Sequence, residues 1–419
     1  MNSHEPTKSS YEPTKSSHEN SVNSHEPDIN SHEPNIKNHE PFDVYLADVS
    51  YFSGKWESYL RYKQIPFNRI EMDAALGVEI YRHTGMRKVP AVKTARGEWL
   101  KDTTPMIDWF ERQYPQVQVV PGDPVQRFVS KLVEDYADEW CWRSAMYHRW
   151  RSDDNAGFLG HRIGREVFND WPMPVSLAGK LFKYRQRRTF MWGDGLDNNS
   201  ESYIHDHYPL VAQALTDILQ DQPFLLGDKP SLVDFAFMGP FFRHYFCDPV
   251  PAKIMRDQFP QVLAWVTRVW SSRASRPVND PEIGKGDFDD FSASGWHIIF
   301  KEIVQIYLPY LQANAKAFDE GKTRFDFSCD AVHLKKLPVV QYRCYCLQML
   351  EQQYQSLSEP ERQSVDQLFA PFGELLLNSH TESGLVEELQ LPLKPRGEIG
   401  LREKFHAFFV GTPWDMIKK

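Results

Sequence analysis

The chain has 419 residues, 41% of them hydrophobic and 14% aromatic, and a formal net charge of −9. That length predicts two or three domains with a sizeable core. The acidic balance argues against a nucleic-acid partner, and no apolar run approaches the about 20 residues that cross a bilayer, so no membrane partner is expected either.

Residues 1–41 repeat a seven-residue unit: Ser3-His-Glu-Pro, Ser10-Tyr-Glu-Pro, Ser17-His-Glu-Asn, Ser24-His-Glu-Pro, Ser31-His-Glu-Pro and Asn38-His-Glu-Pro. The period is that of a coiled coil, but there is no apolar seam and proline recurs. The segment is expected to be a disordered low-complexity tail. Its five histidines (His4, His18, His25, His32 and His39) suit weak metal binding, but composition favours a solvated tail, and no metal is expected.

From Phe42 the pattern changes. Phe42–Ala47 alternates like a strand, Ser50–Gly54 forms a turn, and Lys55–Gln64 reads as a helix with Trp56, Tyr59, Leu60 and Lys63 on one face. A second strand at Ile65–Glu71 and a helical stretch through Tyr81 follow. Val89–Thr94 and Glu98–Leu100 make two more strands, and Thr103–Tyr114 a closing helix. This β-α-β-α-β-β-α order over residues 42–115 fits a thioredoxin-like α/β domain.

Val89-Pro90 opens the third strand. Proline cannot donate to a sheet ladder, so Pro90 starts the strand, lies at an edge or marks a special backbone site. A cis bond there turns the Val89 N–H and C=O outward, toward an extended ligand strand. Asp102-Thr103 then offers a carboxylate, a hydroxyl and helix N-terminal N–H groups. Together they suggest a site for a peptide with a charged end.

Pro115–Pro124 is a linker, and residues 125–275 read as an all-helical domain. Val125–Ser152 is expected to be one long aromatic-rich helix, followed by helices at Tyr208–Leu219 and Phe259–Trp270. Ser231-x-x-Asp234, after Phe224-Leu225-Leu226-Gly227, has the form of a helix N-cap. The basic run Lys183–Arg188 suits a solvated helix face. Residues 275–300 carry Pro277, Pro281, Gly284, Gly286 and the acids Asp287, Asp289 and Asp290, the signature of a boundary. Residues 300–419 form a mostly helical extension and tail, with helices at Ile303–Gln312, Leu337–Tyr354 and after Ser358. The cysteines (Cys141, Cys247, Cys329, Cys344 and Cys346) are scattered and odd in number, so no disulfide framework is implied. Cys344-Tyr-Cys346 lacks the redox spacing. A reducing setting, and the lack of a basic-then-apolar leader, give a cytoplasmic expectation.

The Ser50 turn, Val89-Pro90, Asp102-Thr103 and the Ser231–Asp234 cap, in this order, resemble the soluble glutathione S-transferase superfamily over residues 42–275. The start has a serine- or cysteine-type, zeta/omega-like character, and the C-terminal extension of about 140 residues is atypical. The resemblance implies a glutathione transferase: glutathione as co-substrate, thiolate attack on a small electrophile, and a homodimer as the usual assembly. It places the thiol-activating hydroxyl on Ser50, counted back from Lys63-Gln64-Ile65-Pro66, with Tyr51 and Ser53 as alternatives. A hydroxyl donor and a helix N-terminus both stabilise a thiolate. Glutathione contacts are implied at Lys88 or Arg87, Val89, Pro90, Asp102 and Thr103, and plain capping of the following helix is the other reading of Asp102-Thr103. An electrophile pocket falls on the helix bearing Trp140, Tyr147 and Trp150, where core packing is the competing reading. A glutathione-dependent reductase or peroxidase, which normally uses cysteine at the Ser50 position, and a non-catalytic scaffold are the alternative functions.

Overall fold

The first strand begins where the hydrophobic alternation does. In the computed structural model, which describes residues 40–167, 174–275, 290–329, 332–397 and 400, β1 is Phe42–Leu46. The heptapeptide repeat and the 276–289 part of the boundary segment lie outside the described residues. Helix α1 (Tyr51–Lys63), β2 (Phe67–Glu71), α2 (Ala74–Thr84), β3 (Ala91–Lys93), β4 (Trp99–Lys101) and α3 (Thr103–Gln113) follow. The sheet order is β2-β1-β3-β4, with β2 parallel to β1 and β3 and β4 antiparallel to their neighbours. Val44 and Leu46 are fully buried, as are Trp56, Tyr59 and Leu60 of α1 and Met106, Ile107 and Phe110 of α3. Burying each such large side chain contributes about 1.5–3 kcal/mol. Trp56 stacks on Tyr59 and meets the edge of Phe110, locking α1 to α3 under the sheet.

The second layer is helical: α4 (Pro124–Glu139), α5 (Trp142–Trp150), α6 (Asp153–Val167), α7 (Val175–Gln186), α8 (Glu201–Ile218), α9 (Leu232–Pro240), α10 (Pro249–Gln258) and α11 (Pro260–Ser271). The single helix expected over Val125–Ser152 is instead two. At the break, Cys141 N–H reaches back five residues to Tyr136 O and Arg143 N–H only three to Trp140 O, so the i→i−4 ladder is lost there. Asp123 caps α4 by accepting from Gln126 N–H, with Pro124 at the first helical position, where it needs no donor. At Ser231-x-x-Asp234 the carboxylate of buried Asp234 accepts from Ser231 N–H, Ser231 Oγ, Leu225 N–H and the Trp265 indole. That one side chain ties the Phe224–Gly227 turn to α9 and α11.

The extension holds α12 (Ser294–Glu302), α13 (Leu308–Asp319), α14 (Gln341–Ser356) and α15 (Glu359–Phe369), and also a hairpin of β5 (Arg324–Cys329) and β6 (Val332–Pro338). The helix expected from Leu337 starts only at Gln341, because Leu337 belongs to β6. There Val332, Leu334 and Leu337 are buried, while His333, Lys335 and Lys336 are exposed. A left-handed residue, Lys336 (φ 54°), shifts the register, and its N–H is taken up by Asp326. The extension packs on the helical layer without a separate core. Phe291, Trp296 and Phe300 cluster with Phe369, and Phe128 of α4 meets Tyr354 of α14. Buried Arg143 and Arg343 both sit on the Tyr310 ring, Arg143 pairing with Asp194 and Arg343 with Glu139.

Candidate functional site

Two backbone features frame the site. The Val89-Pro90 bond is cis, and Asp102 has φ 71° and ψ 121°, a conformation sparsely populated outside glycine. A non-glycine residue held there marks a place where surrounding structure over-determines the backbone. Asp102 stands at the N-cap of α3 but makes no side-chain cap. The capping reading of Asp102 therefore fails, and its carboxylate is left for other partners. Thr103 is buried at the first helical position, and Lys101 on the other side is fixed by donating to Thr84 O at 2.9 Å.

Ser50 caps α1, its Oγ accepting from Ser53 N–H at 3.3 Å. The Ser50 hydroxyl in turn reaches the Val89 carbonyl at 3.3 Å. The start of α1 and the cis-proline loop thus meet at one half-buried side chain. The helical layer sets this loop: Arg149, paired with Asp248 through two hydrogen bonds, also donates to Val49 O, beside Ser50.

The two alternative hydroxyls are placed differently. Tyr51 is buried and donates to Ala137 O at 2.5 Å, its ring packed where a Cβ on Gly239 would stand. Burial, first of all, raises its pKa far above the ordinary value. Ser53 is buried and accepts from Ala47 N–H. Neither shares the half-buried position of Ser50. Lys88 is exposed, and Arg87 lies across Gly77 of α2.

Below the start of α1 lies a buried charge cluster. Lys55 donates to Glu134 at 2.7 Å and Asp138 at 2.5 Å, and Lys131 bridges Glu134 and Asp108. Burial opposes the Lys55 charge, but Asp138 and Glu134 outweigh it and raise its pKa. Burial pushes Asp138 up to about 8 against the pull of Lys55. The cluster joins α1 to α4 and touches α3, where Thr104 Oγ1 lies 3.4 Å from Asp138.

The aromatics named from sequence face elsewhere. The Trp140 indole donates to Tyr203 and packs against Tyr310 of the extension. Tyr147 donates to Glu201, and Trp150 lies in a satellite core with Met146, Phe190 and Met191. Instead, Phe52 of the first α1 turn stacks on Trp142, rings 6.1 Å apart, and Trp142 meets the edge of Phe190. Phe52 and Trp142 are only half buried, which gives an apolar wall beside Ser50. Trp142 lies two residues after Trp140 in the sequence, and the break at Trp140-Cys141 sets which aromatic turns toward α1. Among the described residues no group of three or more His, Cys, Asp or Glu side chains is arranged to hold a metal, and no helix is long and apolar enough to cross a membrane.

The arrangement can hold an extended peptide along the cis-proline loop, receive a cation at Asp102, and place a hydroxyl and a helix N-terminus at a thiol. Residues 49–113 match the family model for the glutathione S-transferase N-terminal domain, and residues 206–272 that for the glutathione S-transferase C-terminal domain. Over 219 residues the chain is 26% identical to the isoprene-epoxide–glutathione S-transferase of Rhodococcus sp. (strain AD45), covering 49% of this chain and 83% of the relative. Among solved structures, the β-etherase LigF from Sphingobium sp. strain SYK-6 aligns with a TM-score of 0.40 at 18% identity, over 57% of this chain and 96% of its own. A glutathione S-transferase from Rhodospirillum rubrum F11 aligns with a TM-score of 0.37 at 16% identity, over 56% and 89%. Both family-model matches end before α12, so the extension lies beyond them. Through these two matched stretches, residues 49–113 and 206–272, the chain carries the N- and C-terminal domains of the glutathione S-transferase superfamily.

Proposed function

We propose that this chain is a glutathione transferase that binds glutathione between the cis-proline loop and the start of α3 and promotes attack of its thiolate on a small electrophile. The observation that carries the reading is the Ser50–Val89 contact, which sets one half-buried hydroxyl against the cis-proline loop at a helix N-terminus. Glutathione supplies an extended backbone, a thiol and a γ-glutamyl end bearing an ammonium and a carboxylate. Val89 pairs with the cysteinyl backbone, and Pro90 holds the turn. Asp102 takes the ammonium, Thr103 and the α3 N-terminus take the carboxylate, and Lys88 lies near the glycyl end.

A free thiol near pKa 8.5 is mostly protonated at neutral pH. Turned from the Val89 carbonyl to the sulfur, the single Ser50 O–H donates a hydrogen bond that favours the charged form, and the α1 N-terminus adds to it. The nucleophile is then the thiolate itself, which adds to the electrophile without a covalent enzyme intermediate. Phe52 and Trp142 offer the electrophile an apolar face. A catalytic transferase is favoured over a scaffold, because a half-buried hydroxyl stands at a helix N-terminus against the cis-proline loop. Serine at this position also favours transfer over disulfide exchange. The test pairs retention on immobilised glutathione with a conjugation assay on a broad aryl halide or epoxide panel. Binding with turnover supports the reading, binding without turnover supports the scaffold, and no binding ends both glutathione readings.

A further inference from the structure

Helices α6 and α7 lie between the two stretches that match the family models and belong to neither. Gly160 and Gly179 bring their backbones together: a Cβ on either would run into the carbonyl oxygen of the other. Lys183 and Arg187 reach Asp153 at the start of α6, each at 2.9 Å, and Arg187 also donates to Trp150 O at 2.7 Å. One side of α7 is therefore closely packed. The opposite side is apolar and open. Leu177, Leu181 and Tyr184 follow the i, i+4, i+7 spacing of one helix face, and they are 46%, 53% and 58% exposed. Trp192, at the end of the same helical run, is 59% exposed. Lys180 and Arg188 stand exposed beside them, and Arg188 donates to Tyr184 Oη at 3.3 Å. On a chain of net charge −9, residues 175–192 carry five Lys or Arg and no Asp or Glu.

A basic run on a solvated face has no use for outward leucine and tyrosine, because apolar surface left in water is unfavourable. The occupant must match both the charge and the apolar stripe. Leu177, Leu181, Tyr184 and Trp192 together expose on the order of 400 Å². A stable interface between two copies buries about 800 Å² on each. Cations interleaved with Leu, Tyr and Trp suit an anionic bilayer surface instead: Lys and Arg meet headgroup phosphates, Tyr and Trp settle at headgroup level, and the leucines enter the acyl boundary. Lying on a surface needs no membrane-crossing run. We propose that the outer face of α7 is a peripheral docking surface for an anionic phospholipid bilayer. Phe190, in the turn after α7, meets the edge of Trp142, so the docking surface and the apolar wall beside Ser50 share one segment of chain.

The experiment is co-sedimentation of the full chain with two kinds of vesicle, phosphatidylcholine alone and equal parts phosphatidylcholine and phosphatidylserine. The chain should sediment with the mixed vesicles and not with phosphatidylcholine, and added salt should release it. Lys180→Gln with Arg188→Gln should weaken binding about 25-fold, roughly fivefold for each cation removed from an anionic surface. Leu177→Ser with Leu181→Ser should weaken it at least about fivefold and leave the salt dependence unchanged. All four positions are exposed, so thermal unfolding should be the same in both variants as in the unmodified chain. Sedimentation with both vesicles alike, or with neither, overturns the proposal, as does binding that survives Lys180→Gln with Arg188→Gln. Concentration-dependent dimerisation without lipid that Leu177→Ser with Leu181→Ser abolishes would assign the face to a second copy and overturn it too.

Discussion

Leu393 donates its backbone N–H to the Trp99 carbonyl at 2.9 Å, so the tail adds a bond to the outer edge of β4. Edge strands with unpaired groups invite pairing with other chains, and covering them is one remedy. The same stretch packs Leu393 against a small core of Tyr45, Ile80, Ala91 and Trp99, and Arg396 donates to Tyr81 O at the end of α2. Leu393→Pro deletes the donor and part of the packing. The expected result is faster cleavage of residues 377–397 in limited proteolysis and a loss of about 1–2 kcal/mol in urea unfolding. Unchanged cleavage and stability would show that the strap contributes nothing.

Ser50→Ala separates the two tasks assigned to Ser50. Losing the cap of α1 costs about 1 kcal/mol of stability. Losing the donor to the sulfur is expected to lower the conjugation rate on the order of 100-fold at neutral pH, with glutathione affinity changed little. The rate should recover as pH rises toward the free thiol pKa, because hydroxide then supplies the thiolate. A rate equal to that of the unmodified enzyme would move the activating role to another group. Tyr51→Phe is the control: its hydroxyl is buried on Ala137 O, so it should affect stability more than chemistry.

What the sequence made legible follows the range of the forces involved. The cis-proline strand start and the Ser231–Asp234 cap are local: a few residues dictate the backbone, and both are where the motifs place them. The proposed electrophile wall of Phe52 and Trp142 depends on the helix break at Trp140-Cys141, a tertiary effect that local periodicity does not contain. The β5–β6 hairpin is absent from the sequence expectation, which places only helices in the extension, although Val332, His333 and Leu334 alternate as a half-buried strand does. The place of Leu393 is not legible at all: its partner, Trp99, lies in the first domain, and nothing local in either segment specifies the other.

Asp234 is a structural counterpart to Asp102. Burial raises its pKa despite the four hydrogen bonds it accepts. Asp234→Ala leaves Leu225 N–H, Ser231 N–H and the Trp265 indole without their acceptor inside the core. The expected loss is about 3–5 kcal/mol, measured by urea or thermal unfolding. Asp234→Asn keeps one acceptor oxygen and should cost less. An alanine variant as stable as the unmodified protein would mean that water reaches the cap and replaces the carboxylate.

Glu302 offers a pH-dependent test of the joint between the extension and the helical layer. It is buried, accepts from Tyr203 Oη at 2.6 Å, and faces His207, whose ring nitrogen is 3.6 Å away. Burial holds His207 down at about 3, so the imidazole stays neutral and forms no ion pair. Burial pushes Glu302 up to about 7 from an ordinary value of 4.5, with Tyr203 and Lys301 pulling the other way. The folded state therefore holds this proton more tightly than the unfolded chain. The stability it confers is complete below pH 4.5 and is lost as pH rises through about 7, a swing of about 3 kcal/mol. Asp135 at about 7 and Asp138 at about 8 titrate in the same window, so the slope of the unmodified protein alone does not isolate Glu302. The difference between Glu302→Gln and the unmodified protein does, because glutamine keeps the shape and an acceptor for Tyr203 but carries no proton to lose. The variant should be of similar stability at pH 5 and the more stable of the two at pH 8, by urea midpoints at both values. Equal midpoints at pH 8 would mean that Glu302 is ionised without penalty and that water already reaches the joint.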